Sequence, residues 1–213
     1  MRDVDLALSQ VSLIRAQLTA TTRFLGISPE FNLLMAVLAL AVAVVQGYYP
    51  ALQDGLGYIA VWGSMLIAST GAVVVDAVAR ARRLHGRMAN AMLKAALGKA
   101  LPFYLTAAFV TWAICTFSAE NIRILPGLWL MLIGLLGCSA LPSLPRKAVW
   151  VAAWYLLCGA AVLLLSLTPA SEPQPLSPWL LGIPFTIGHL FVALVFSKAS
   201  DSDKPQGANR VSP

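Results

Sequence analysis

The chain has 213 residues, of which 59% are hydrophobic and 11% are charged. Soluble domains carry about 25% charged residues, so this composition excludes an ordinary soluble domain and indicates an integral membrane protein. The net charge of +6 does not indicate nucleic-acid binding, because the topology of a membrane protein accounts for its excess of Lys and Arg.

The first predicted element is an amphipathic helix within residues 1–28. Apolar residues recur in it at spacings of three and four, and its opposite face carries polar residues that include Asp5 and Arg23. We expect this helix to lie in the cytoplasm. Three arrangements stay open: docking on the cytoplasmic ends of the bundle, lying on the membrane surface, or pairing with a second copy.

Six apolar segments follow, and each is close to the ~20 residues that cross a bilayer. The predicted spans are residues 31–49, 56–78, 100–118, 124–144, 148–167 and 178–197. They form one transmembrane domain over residues 29–198. The sequence therefore predicts an all-α, polytopic membrane protein with six transmembrane helices.

The distribution of Lys and Arg predicts the orientation of these spans. If the loops that contain Asp54, Arg123 and Pro173 lie outside, then Arg123 alone of the 15 Lys and Arg residues is not cytoplasmic. Loops rich in Lys and Arg stay in the cytoplasm. We expect both termini to be cytoplasmic, the polar tail of residues 199–213 to be disordered, and the protein to lie in a bacterial inner membrane.

A basic cytoplasmic helix over residues 79–99 is predicted to continue the second span, with Pro102 opening the third. Positive residues recur in it at helical spacing: Arg80, Arg83, Arg87 and Lys94. Such a helix beside a membrane attracts anionic lipid headgroups by about 1 kcal/mol per charge. Two interpretations stay open: these residues only fix the topology, or they also bind anionic lipid or a protein partner.

Two ionisable residues are the candidate functional residues within the spans. His189 lies near the middle of the sixth span, beyond Pro184, and an ionisable group at that depth raises a functional hypothesis. A neutral imidazole that donates a hydrogen bond to another helix is the simpler explanation. Asp76 lies about one turn inside the second span, four residues before Arg80, which favours an ion pair between them.

No catalytic or metal-binding motif is present in the sequence. The last four spans contain no Asp or Glu, and the three cysteines, Cys115, Cys138 and Cys158, lie in three different spans without a Cys-x-x-Cys pair. We therefore expect no catalytic residue, no metal and no cofactor, and we do not expect an enzyme.

Three short stretches resemble an uncharacterised group of bacterial six-helix inner-membrane proteins. They are Ile14-Arg15 with Thr22-Arg23-Phe24, then Leu125-Pro126-Gly127-Leu128-Trp129, and Ile187-Gly188-His189-Leu190. The resemblance implies a similar location and architecture. It implies no substrate and no catalytic residue.

Three functions are compatible with the sequence. The first is a non-enzymatic membrane protein that acts as a sensor or accessory subunit through partners, which are anionic lipids, another protein or a second copy of the chain, but not nucleic acid. The second is a small transporter of an apolar or zwitterionic solute or lipid, suggested by His189 beyond the helix-breaking Pro184. The third, a lipid-modifying or cofactor-binding enzyme, is disfavoured because carboxylates are missing from the later spans.

Overall fold

The structure, a computed structural model, describes residues 28–85, 89–168 and 176–202. These residues form six α-helices and no strand: α1 (Pro29–Tyr48), α2 (Gly55–His85), α3 (Ala89–Phe117), α4 (Leu125–Ala140), α5 (Ala148–Leu167) and α6 (Trp179–Ser202). Six stretches are long and apolar enough to cross a membrane: Pro29–Tyr48, Gly55–Asp76, Leu97–Phe117, Ala119–Ala140, Ala148–Leu167 and Trp179–Ser197. The prediction of an all-helical, multi-pass membrane protein is thereby confirmed. The predicted amphipathic helix in residues 1–28 lies outside the described residues, except for Ser28.

Local chemistry explains where the helices begin. The hydroxyl of Ser28 accepts a hydrogen bond from the backbone N–H of Phe31 at 3.2 Å, and Pro29 occupies the first turn of α1. A serine cap followed by proline is a typical helix start, because the proline lacks only an N–H that would be unpaired there. The carboxylate of Asp54 accepts a bond from Gly57 N at 2.7 Å at the start of α2. Short 3-10 helices form the connections at Pro50–Leu52, Ala119–Ile124 and Leu141–Ser143.

The most extensive packing between helices joins α4 to α5 and α1 to α6. Glycines make the first pair close: a Cβ on Gly127 would lie 2.7 Å from the backbone nitrogen of Leu163, and one on Gly159 would lie 2.7 Å from that of Met131. In the second pair, a Cβ on Gly182 would lie 2.5 Å from the Cβ of Ala43. Small residues let helix backbones approach in membranes, where burial of apolar surface gives little driving force.

Helix α2 packs mainly on α3 and contacts α1 very little. Among the side chains that the structure describes on α2, Tyr58 and Trp62 are buried, and both lie within its first two turns or so. They belong to a core cluster with side chains such as Leu125, Leu130 and Leu181. From Gly63 to Ala79, the described side chains of α2 are half-buried or exposed.

Three predicted boundaries differ from the structure. Pro102 lies inside α3 and does not open it. Because proline has no backbone N–H, the carbonyl of Gly98 receives no helical hydrogen bond from Pro102. Gly98 is exposed, so water or lipid headgroups can donate a hydrogen bond to this carbonyl instead. The fourth α-helix ends at Ala140, and a 3-10 turn follows it where the sequence predicted helix up to residue 144. Helix α6 runs to Ser202, whereas we expected the chain to be disordered from residue 199.

Candidate functional site: a cavity around His189

A cavity of about 300 Å³ lies between α2 and the helices α4, α5 and α6. This volume is at the lower end of the range of about 300–1,000 Å³ that small-molecule pockets show. All six helices contribute to its lining, and none of the lining residues that the structure describes is charged. Most of the wall is apolar, and the hydroxyl, phenol and imidazole groups come from Ser69, Thr70, Tyr104, Tyr155 and His189.

The cavity occupies one half of the bundle. On α5 its lining extends from Ala148 to Tyr155, a rise of about 10 Å along the helix. On α6 it extends from Phe185 through His189 to Phe196. These residues lie toward the end of the bundle at which α5 begins and α6 ends, which the predicted topology assigns to the cytoplasmic side.

His189 lines this cavity one turn beyond Phe185 on α6 and uses one ring nitrogen within the protein. Nδ1 lies 2.8 Å from the carbonyl oxygen of Phe185, one turn earlier on α6, and 3.2 Å from the hydroxyl of Tyr155 on α5. A carbonyl oxygen can only accept, so Nδ1 carries the proton, and Nε2 of the neutral ring is an acceptor. The hydrogen bond to another helix that the sequence predicts corresponds to the contact with Tyr155, and this contact is longer than the one with Phe185.

Packing fixes the position of this pair of rings. The His189 ring stacks on Phe185 with centroids 5.8 Å apart, and Tyr155 meets the same phenyl ring edge-on at 6.0 Å. A Cβ on Gly188 would collide with the ring of Tyr155. Glycine at position 188 is thus what allows α6 to carry His189 so close to the phenol.

A second polar contact lies across the cavity, on α2 and α3. The hydroxyl of Thr70 donates to the hydroxyl of Tyr104 at 3.1 Å. The neighbouring hydroxyl of Ser69 donates to the carbonyl of Leu66 within its own helix at 3.0 Å. The cavity therefore has polar groups on two opposite sides and apolar walls between them.

Gln46 supports the inner end of the cavity from α1. Its side-chain oxygen accepts a hydrogen bond from the indole N–H of Trp62 at 2.7 Å, and its side-chain nitrogen donates to the carbonyl of Leu52 at 2.6 Å. The Trp62 ring, which lines the cavity, stacks on Phe185 with centroids 6.0 Å apart. Gln46 is 1% exposed, so this network is a buried one.

The structure brings His189 together with residues that the sequence analysis did not select. Tyr155 was not singled out, because a tyrosine in an apolar helix carries no indication of the face it occupies. Gln46 was overlooked among the polar groups of the first span, although an amide within the apolar run 33–48 was the available signal. Trp154, also unselected, donates its indole N–H to the carbonyl of Pro184 at 3.1 Å.

Of the other predicted site residues, Asp76 and Lys94 have described side chains, and neither lines this cavity. Asp76 is half-buried on α2. The predicted ion pair between Asp76 and Arg80 stays a prediction, because the side chain of Arg80 lies outside the described part of the structure. Arg80 and Arg83 belong to α2 by their backbone, Lys94 is exposed on α3, and Arg87 lies outside the described residues. The predicted basic helix 79–99 is thus shared between the end of α2 and the start of α3. Within the described ranges, no three His, Cys, Asp or Glu side chains are grouped as for a metal ion.

No family model, no curated protein and no solved structure matches the chain. The resemblance to bacterial six-helix inner-membrane proteins therefore stays a prediction. The fold defines the class of protein. It is a multi-pass helical membrane protein with a small, mainly apolar cavity in one half of its bundle.

Proposed function

We propose that the protein binds a small, mainly apolar molecule inside the membrane, in the cavity around His189, and that it acts as a non-enzymatic sensor through partners. The observation that carries the proposal is the cavity itself, with about 300 Å³ of space, described lining residues that are all uncharged, and polar groups at defined positions. Ligand sites of this kind combine apolar lining with a few placed polar groups that orient the ligand.

The closed inner end of the cavity supports binding with a single access side. Beyond Trp62, the bundle is filled by core side chains, among them Tyr58, Leu125 and Leu181. A molecule in the cavity meets this packed core at the Trp62 end. A sensor needs only one such access, with ligand binding changing how α2 and α3 sit against the other helices.

A small transporter of an apolar or zwitterionic solute or lipid is the second candidate. The observation that favours it is that α3 and α6, which both line the cavity, contain Pro102 and Pro184 in their interiors. Transporters often have interrupted helices beside the binding site, and a proline inside a helix is one cause of such interruptions. This function requires a second conformation in which the core around Trp62 opens.

Native mass spectrometry of the protein, purified in mild detergent with its retained lipids, tests the binding proposal. Ser69→Phe places a ring in the cavity, and Ser64→Phe on the same helix is the matched control. Both serines bond the carbonyl three residues earlier, but Ser64 is exposed and does not line the cavity. We expect wild type and Ser64→Phe to retain a small molecule that Ser69→Phe lacks. Equal retention by all three proteins, or none by any, contradicts the proposal.

We also propose that the basic residues of segment 79–99 contact anionic lipid headgroups at the inner face of a bacterial inner membrane. Lys94 is exposed, and the sequence places Arg80, Arg83 and Arg87 in the same segment. Attraction of this kind is screened by salt. Binding of a peptide of residues 78–99 to anionic vesicles should therefore weaken as salt rises, and salt-independent binding would refute the electrostatic argument.

A further inference from the structure

Nε2 of His189 has no hydrogen-bond partner in the described part of the chain, where the contacts of this ring are made by Nδ1. Fully buried side-chain nitrogen and oxygen atoms without a partner are limited there to the hydroxyl of Tyr58. Nε2 therefore keeps accessible surface. His189 lines the cavity, and we take this surface of Nε2 to face it.

The neighbours of the ring define what Nε2 can bind. With the proton on Nδ1, bonded to the carbonyl of Phe185, Nε2 offers a lone pair and no hydrogen. In the opposite tautomer, with the proton on Nε2, the lone pair of Nδ1 would face the carbonyl oxygen of Phe185 at 2.8 Å. This repulsion disfavours that tautomer. Among the described residues that line the cavity, none is Asp, Glu, Lys or Arg. The site is thus a neutral acceptor in an apolar cavity.

We infer that the cavity takes a neutral amphiphile whose hydroxyl group donates a hydrogen bond to Nε2 of His189 while its alkyl or isoprenoid chain lies along the apolar walls. This inference rests on the proposed binding function and names its ligand class. An ether, a ketone or a carboxylate has no hydrogen to donate to Nε2. An ammonium group has one, but no carboxylate among the described lining residues balances its charge, and burying an unpaired charge is costly.

The test compares two isomers, n-decanol and nonyl methyl ether, with the full-length protein in nanodiscs. They have the same atoms and nearly the same size, but only the alcohol donates a hydrogen bond. Equilibrium dialysis of the radiolabelled compounds gives each affinity relative to protein-free nanodiscs, which removes their different partition into lipid. We expect wild type to bind the alcohol about fivefold more tightly, which corresponds to about 1 kcal/mol for one hydrogen bond.

His189→Phe removes Nε2 and keeps an aromatic ring against Phe185. In this variant the preference for the alcohol should fall to about one, with the ether bound as before. Thr186→Val is the matched control, since Thr186 lies one turn earlier on α6, is not part of the lining, and bonds the carbonyl of Ala36. This control should retain the fivefold preference.

The outcomes separate this inference from the proposed function. If wild type binds neither compound, the proposed function fails together with the inference. If it binds both equally, or if the preference persists in His189→Phe, the hydroxyl inference alone is overturned. Nitrogen-15 NMR of labelled histidines in wild type needs no variant: decanol should shift Nε2 of His189 while the ether does not, with His85 as internal reference. An unmoved Nε2 resonance overturns the inference.

Discussion

Replacing Gly159 by alanine should destabilise the protein, because the methyl group has no space between α4 and α5. The new Cβ would lie 2.7 Å from the backbone nitrogen of Met131 and 2.9 Å from the carbonyl oxygen of Gly127. Backbone atoms cannot rotate away as side chains do, so the two helices must separate along their closest contact. Overpacking of this kind costs about 1–3 kcal/mol.

Gly71→Ala is the matched control for this substitution. A Cβ on Gly71 would meet nothing within 4 Å, and Gly71 is exposed in the interior of α2. Alanine is favoured over glycine inside a helix by about 1 kcal/mol, and this gain applies at both positions. The difference between the two variants therefore isolates the steric contact, and we expect it to be about 1–3 kcal/mol.

Unfolding by SDS titration in mixed micelles measures both free energies relative to wild type. The expected order is Gly71→Ala at or above wild type, and Gly159→Ala below Gly71→Ala. If Gly159→Ala is as stable as Gly71→Ala, the close approach of α4 and α5 is refuted. Circular dichroism of both variants before the titration establishes that the helices have formed.

Three further predictions concern other parts of the molecule. Gln46→Leu should lower the free energy of unfolding by about 1–3 kcal/mol in the same titration, because the buried indole N–H of Trp62 loses its acceptor; an unchanged value would contradict the network. His189→Gln should be tolerated in thermal unfolding, whereas His189→Leu should cost about 0.6–2 kcal/mol, and equal stability of wild type and both variants would rule out a structural role. A reporter fused after residue 90 should be cytoplasmic and one at Pro173 periplasmic, and the reverse result would overturn the topology.

The positions of the spans could be predicted because bilayer thickness fixes their length and apolar residues must fill it. The fifth helix agrees best: the predicted 148–167 is also the observed Ala148–Leu167, since Lys147 and Thr168 end the apolar run on both sides. Pro102 shows where this reasoning stops. Hydropathy marks the part of a helix within the membrane, and it carries no information on how far the helix continues beyond it. The proline therefore looked like a helix start.

The candidate site was only half predictable from the sequence. His189 stood out because an ionisable side chain is uncommon at this depth. Its neighbour Tyr155 did not, since the face of α5 that it occupies depends on how α5 packs against α6, and α5 is apolar on every side. Gly188 was visible as the small residue that precedes His189. Its role, which is to admit the Tyr155 ring, exists only once two distant spans have been brought together.

The cavity has a physical origin in the side chains of α2. Near its start, α2 carries the large rings of Tyr58 and Trp62, which reach the core; two to three turns later it carries the small Ser69 and Thr70, which cannot span the same gap. Trp62 marks the change from filled to open space. Its indole is held by Gln46 at 2.7 Å and by stacking on a ring of α6. The buried amide of Gln46 therefore fixes how deep the cavity reaches, because it holds the ring on which the cavity ends.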